Sequence, residues 1–235
     1  MKTRLLALTF ILLISAPFIM AQTSDSKAGF GLIGGVNLQS LAGKDYNGDK
    51  IDPQLTIGFH AGVNAIIPIA PEFYFQPGLL FTTKGGKSTF AENPVKAAGD
   101  DLEITTKLNY IEMPLNLLYR PVLGNGHMLL GFGPYVAYGI GGKENHSGGI
   151  MDVDVDYDVK FKSEVANEDS DVYSYYKPFD AGANIFFGYE FSAGIFMQLN
   201  AQLGMLKVNP DYVSESNSKT SIKNTGFGVS LGYRF

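Results

Sequence analysis

The chain has no cysteine, no tryptophan and only three histidines in 235 residues. Without thiols it has no disulfide scaffold, no Cys-ligated zinc or iron–sulfur site and no thiol nucleophile. Charge is scarce too: Asp, Glu, Lys and Arg make up 17% of the chain, against roughly 25% in an ordinary soluble domain. The net charge of -5 argues against a broad nucleic-acid-binding face. Beyond the first residues, no segment approaches the roughly 18 uninterrupted apolar residues of a membrane-spanning helix. Apolar side chains (45%) and 28 glycines are abundant, and that apolar fraction excludes a disordered chain.

Met1–Ala21 reads as a secretory signal peptide. Lys2 and Arg4 supply the positive start, Leu5–Ile14 is apolar apart from Thr9, and Ala21 is a small residue suited to cleavage. Ile19 is bulkier than the ideal at its position. Ser15, Ala16 and Pro17 end the apolar run before it could span a bilayer. No Cys follows to carry a lipid, so residues 22–235 form the expected domain. An exported, apolar chain without a spanning helix has one remaining way into a membrane, a closed β-barrel.

Apolar and polar residues alternate with a period of two in eight segments, which is the signature of strands. In Ile57–Ile67, Ile57, Phe59, Ala61, Val63, Ala65 and Ile67 share one face, and Gly58, His60, Gly62 and Asn64 share the other, with Ile66 the exception. The pattern recurs around Phe30–Gln39, Phe73–Thr82, Tyr110–Arg120, Met128–Ile140, Phe179–Phe191, Ile195–Met205 and Gly226–Phe235. Ile33, Leu80, Leu118, Leu129, Phe186 and Phe196 break it on the polar face, and Gly34, Pro77 and Pro134 on the apolar one. No charge falls on the apolar face. A Lys or Arg facing lipid near the midplane costs about 2–4 kcal/mol. The polar face is mostly Gly, Asn, Gln and Ser, which suits the narrow bore of eight strands. The apolar face is therefore expected in lipid. A soluble barrel of the lipocalin kind would point it inward.

Connections alternate long and short. Ala42–Gln54, Gly85–Thr105, Gly141–Lys177 and Val208–Asn224 are long, and Ala70–Glu72, Val122–His127 and Ser192–Gly194 are short. That matches a barrel with extracellular loops and short periplasmic turns. Phe30, Phe73, Phe75, Tyr119, Tyr189, Phe191, Tyr233 and Phe235 gather at the short-turn ends, and Phe81, Tyr138, Phe179 and Phe227 near the opposite rim. Amphipathic rings favour these two headgroup levels. Within the longest loop, Val153–Phe161 alternates with Asp152, Asp154, Asp156 and Asp158. The expectation is a hairpin above the membrane, returning through Val172–Tyr176. Its carboxylates would stand about 6.8 Å apart, too far for one cation to bind several directly, and the segment lacks the features of an EF-hand loop.

On Gly31–Leu41, Phe75–Gly85, Leu108–Tyr119, Gly131–Tyr138 and Phe227–Phe235, the sequence resembles the PorT-like outer-membrane β-barrel family. Asn109, Tyr110, Glu112 and Pro114 are the most specific part. The resemblance implies an all-β, eight-stranded antiparallel up-and-down transmembrane barrel in a Gram-negative outer membrane. It does not imply one activity, although one branch is linked to protein secretion. It further implies that Tyr233 and Phe235 form the terminal signal read by the barrel-assembly machinery.

Seven ionisable residues fall on the lumen face: His60, Lys84, Glu112, Arg120, Asp180, Glu190 and Arg234. Arg120, Glu190 and Arg234 lie at one end of alternate strands, so an ion cluster with Glu190 between two arginines is expected there, with Glu112 grouped with it. Buried charges are tolerable only when paired. A structural plug is the favoured role and an ion-selective constriction the alternative. No Ser–His or Asp–His pair stands out around His60, His127 or His146. No catalytic residue, metal or cofactor is expected. The expected partners are outer-membrane lipid, the assembly machinery and an extracellular or secretion-system protein. No nucleic acid partner is expected, and the chain is expected to be a monomer. A structural or interaction role through the loops is the leading reading. A narrow pore, a secretion-associated component, a rim enzyme and a soluble ligand-binding barrel are the alternatives.

Overall fold

The computed structural model describes residues 28–52, 54–90, 100–149, 153–165, 174–212 and 219–235. The expected leader, Met1–Ala21, lies outside them. Eight long strands form the body: β1 (Gly29–Lys44), β2 (Thr56–Ala70), β3 (Phe73–Phe90), β4 (Asp100–Tyr119), β5 (Gly126–Gly149), β6 (Phe179–Glu190), β7 (Ile195–Gly204) and β8 (Ser221–Arg234). Each pairs antiparallel with the next, and β8 returns to β1, with Gly35 opposite Ser230 and Gly31 opposite Arg234. The ring is closed, so it leaves no open sheet edge for a second chain. No described helix is long and apolar enough to cross a membrane.

The apolar face points outward around the whole ring. Ile57, Phe132, Phe179, Leu199 and Leu231 are each more than half exposed, while their inward strand neighbours are buried or half-buried. A lipocalin-like barrel has the reverse arrangement. The inner face explains the glycines. Inward Gly131 lies under the Phe186 ring, and a Cβ there would stand 2.1 Å from Phe186 Cζ; Gly232 gives the same room to Phe196. Glycines on one strand thus make room for aromatics from the neighbouring strand, with Gly131 opposite Phe186 and Gly232 opposite Phe196.

Most of the departures on the polar face share a cause. Leu118, Leu129, Phe186 and Phe196 point inward and pack with Ile66 and Tyr74, with Ile33 against them. They form an apolar layer that fills the bore near the short turns. The expected long loops are shorter than the sequence suggested. β3 runs on to Phe90, β4 begins at Asp100 and β5 continues to Gly149. Polar alternation beyond a bilayer is strand too, since ladder hydrogen bonds do not require apolar side chains.

The acidic strand Val153–Phe161 pairs antiparallel with the far end of β5. Its return differs from the expected hairpin: Ser174–Tyr176 lies parallel to Val159–Phe161, and Val172 falls outside the described residues. The segment also does not simply rise away from the ring. Val159 is buried among Leu108, Tyr110, Tyr135 and Ala137, with Phe161 and Tyr176 beside them. Phe161 sits over inward Gly139, its ring 5.7 Å from that of Tyr110. Its apolar side closes the long-loop mouth, and Asp154, Asp156 and Asp158 face solvent.

Candidate functional site: the charged bore

Arg120, Glu190 and Arg234 end up together because each lies at the short-turn end of an inward-facing strand row. Arg120 follows β4, and the other two close β6 and β8. Arg120 Nη2 donates to Glu190 Oε1 at 2.6 Å and its Nε to Oε2 at 3.2 Å. Arg234 Nε donates to Glu190 Oε2 at 2.8 Å. The forked guanidinium of Arg120 matches a carboxylate bidentately. Arg234 lies 5.3 Å from the Phe196 ring, which joins the charged layer to the apolar one above it.

Glu112 does not belong to that cluster. It lies farther up the bore, where Lys84 Nζ stands 2.7 Å from Glu112 Oε2 and 2.9 Å from Asp180 Oδ2. Strand stagger, rather than strand end, sets which inward charges share a height. Gln202 donates to Glu112 Oε1 at 2.9 Å, Asn224 to Asp180 Oδ2 at 3.1 Å, and the ammonium sits 4.0 Å from the Tyr135 ring centroid. Residues from β3 to β8 are tied into this one network. Lys84 is fully buried, which is tolerable only with such pairing.

Between the two charged layers lies a cavity of about 100 Å³, lined by Asn64, Gln76, Asn116, Asn184 and Gln198 among others. That is room for about three waters. On its wall is an arrangement that sequence reading missed. His60 Nδ1 donates to Asn37 Oδ1. Ser230 Oγ donates to His60 Nε2 at 2.7 Å, and Asn200 Nδ2 donates to Ser230 Oγ at 2.7 Å. The connectivity is that of a hydrolytic relay. Ser230, however, is fully buried, and packed layers lie both above and below it. The arrangement forms a polar clasp along one wall of the bore, joining the consecutive strands β7, β8, β1 and β2. His60 and Ser230 are 170 positions apart, so no local signal could have shown the pair.

The other sequence candidates are placed as follows. His146 bonds Glu144 at 2.8 Å, and His127 begins the inner row of β5. Tyr233 and Phe235 stack edge to face at 4.9 Å on the outer face. Asn145 Nδ2 bridges Asp154 at 2.7 Å and Asp156 at 2.9 Å. No cluster of three metal-ligating side chains occurs among the described residues.

Residues 20–210 match a family described as outer membrane protein beta-barrel domain. Comparison with curated proteins finds no match. Among solved structures, Ail, the attachment invasion locus protein of Yersinia pestis, in complex with the heparin analogue sucrose octasulfate, is 12% identical; the alignment covers 89% of this chain and 100% of Ail at a TM-score of 0.39. Neisserial surface protein A is 11% identical, with 89% and 100% covered at a TM-score of 0.42.

Proposed function

The chain belongs to the outer membrane protein beta-barrel domain family, and we propose that it spans the outer membrane as an eight-stranded up-and-down barrel whose closed bore is scaffold and whose long loops engage partners outside the cell. One observation carries this reading: large apolar side chains cover the outside of the ring while Lys84, Glu112, Asp180, Glu190 and Arg234 are buried inside it. In water both halves of that arrangement would be unfavourable; in hydrocarbon both are favourable. Within the family we read the chain as PorT-like, on Leu108–Tyr119 and the closing Phe227–Phe235. Export on Met1–Ala21 and recognition of Tyr233 and Phe235 by the assembly machinery belong to the same reading, as does a non-enzymatic role. An interaction role fits better than transport because two charged layers, an apolar layer and the inserted strand occupy the bore among the described residues.

The test is twofold. The extracted protein should show heat-modifiable migration, and pure protein in planar bilayers should give no single-channel steps. Absence of heat-modifiable migration contradicts the membrane barrel. Discrete conductance steps contradict the closed bore and favour the narrow-pore alternative. On intact cells, protease should cut in the long loops and leave the turn at Ala70–Glu72 untouched.

A further inference from the structure

Among the described residues, the inward charges of the bore are paired, but on the outer wall the charge of Lys107 is not. On the outer faces of β3, β4 and β5, Phe81 stands opposite Ile111 and Ile111 opposite Tyr138. Phe59 packs on Phe81 at 5.4 Å, and Phe179 on Tyr138 at 5.1 Å. This is an aromatic belt. Two residues toward the long loops, Thr83 Oγ1 donates to Asn109 Oδ1 at 3.1 Å. Two residues farther on, Gly85, Lys107 and Lys143 stand side by side.

Like charges opposite one another on neighbouring strands are destabilising; Lys143 has Asp158 opposite it on its other side, so Lys107 is the ammonium left for an external counter-charge. Lys107 makes no ion pair among the described residues. Lys143 Nζ lies 3.8 Å from Asp156, and both side chains are more than half exposed. Below the lysines a groove of about 380 Å³ opens on the outer surface, walled by Val36, Ile57 and Phe59 and edged by Thr83, Asn109, Lys107 and Lys143. Gly85 leaves one flank of Lys107 without a side chain. The site is thus apolar toward the bilayer centre, neutral and polar at the belt, and doubly cationic at the headgroup level.

We propose that this groove holds one phosphate-bearing lipid of the outer leaflet, with an acyl chain along Val36, Ile57 and Phe59 and its headgroup phosphate between Lys107 and Lys143. The proposal rests on the membrane reading above. A soluble anion would leave three large side chains, 58%, 69% and 53% exposed, uncovered in water. A neutral lipid would leave Lys107 without a counter-charge. Lysine stems reach along apolar surface while their heads remain at the polar level, and each lysine near an anionic surface strengthens attachment about fivefold.

The experiment uses the full chain refolded into phosphatidylcholine vesicles containing a minor fraction of diphosphoryl lipid A, then released for native mass spectrometry. The wild-type chain is expected to keep one lipid A molecule. Lys107→Gln with Lys143→Gln should lower that occupancy about fivefold for each lysine removed. Lys107→Arg with Lys143→Arg should retain it, which keeps the test valid should the glutamine variant fold poorly. Lys219→Gln, in a loop, should leave it unchanged. Equal retention by the glutamine variant, equal retention of phosphatidylcholine by the wild type, or complete displacement by inorganic phosphate would each overturn the lipid site. A wild-type chain that enters vesicles without the adduct defeats this inference alone. One that never enters them defeats the barrel reading beneath it.

Discussion

Glu190→Gln isolates the cluster at the short-turn mouth. The substitution keeps shape and volume and removes one charge. Glu190 accepts three bonds from two guanidinium groups, at 2.6, 3.2 and 2.8 Å. The side chains of Arg234 and Glu190 are 4% and 5% exposed, and that of Arg120 is 16% exposed. Breaking a buried pair by removing one partner costs about 3–5 kcal/mol, because a charge is left uncompensated. Arg120 sits at the mouth and can turn toward water, whereas Arg234 cannot leave its place over Phe196. The loss should therefore fall near the lower limit, about 3 kcal/mol. The assay is reversible urea unfolding in vesicles, followed by the heat-modifiable band. Arg234→Gln in the Glu190→Gln background should restore part of the stability, since it removes the charge left without a partner. A loss under about 1 kcal/mol, the range of exposed pairs, with no restoration in the double variant, would refute the burial argument.

Gly131→Val places side-chain atoms where the Phe186 ring lies; overpacking of this kind should destabilise by about 1–3 kcal/mol, and adding Phe186→Ala should recover part of it in the same unfolding assay. Leu199→Arg puts a cation on the lipid face between Phe187 and Val229 and should lose about 2–4 kcal/mol, whereas Lys219→Gln should change stability by less than about 0.5 kcal/mol. In the last long loop, Lys177 at 2.8 Å and Lys207 at 2.7 Å bond Asp211 and hold its carboxyl below the usual carboxylate range. A depressed folded pKa means these contacts persist at neutral pH and above, and are lost only as acidification passes below the ordinary Asp value of about 3.9. Limited proteolysis of that loop should therefore accelerate only in that acid range.

How legible the molecule was depends on which physical signal a residue carries. Alternation around Phe59, Leu117 and Leu199 reports burial on one face of a strand. The alternation of long and short connections reports antiparallel order, and together they gave the ring. The Arg120–Glu190–Arg234 group was legible because all three sit at strand ends, where height in the barrel follows from the turns. Glu112 was misplaced because height in mid-strand depends on stagger, which a sequence does not state; its partner Lys84 comes from the adjacent strand and Asp180 from β6, two strands away. Leu118, Leu129, Phe186 and Phe196 read as flaws in the pattern until the opposing glycines showed them to be a packed layer. Val159 and Phe161 carried the period of a strand, but not the information that the strand turns its apolar side into the mouth.

The absence of native tryptophan allows the most direct test of the central claim, that the apolar face meets hydrocarbon and the polar face fills the bore. Phe186 and Phe187 are sequence neighbours, 4% and 56% exposed. Phe187→Trp and Phe186→Trp, each refolded into vesicles of lipids brominated along the acyl chain, give one fluorophore apiece on opposite faces. The account predicts strong quenching for Phe187→Trp and little for Phe186→Trp. Equal quenching, or the reverse order, would contradict it.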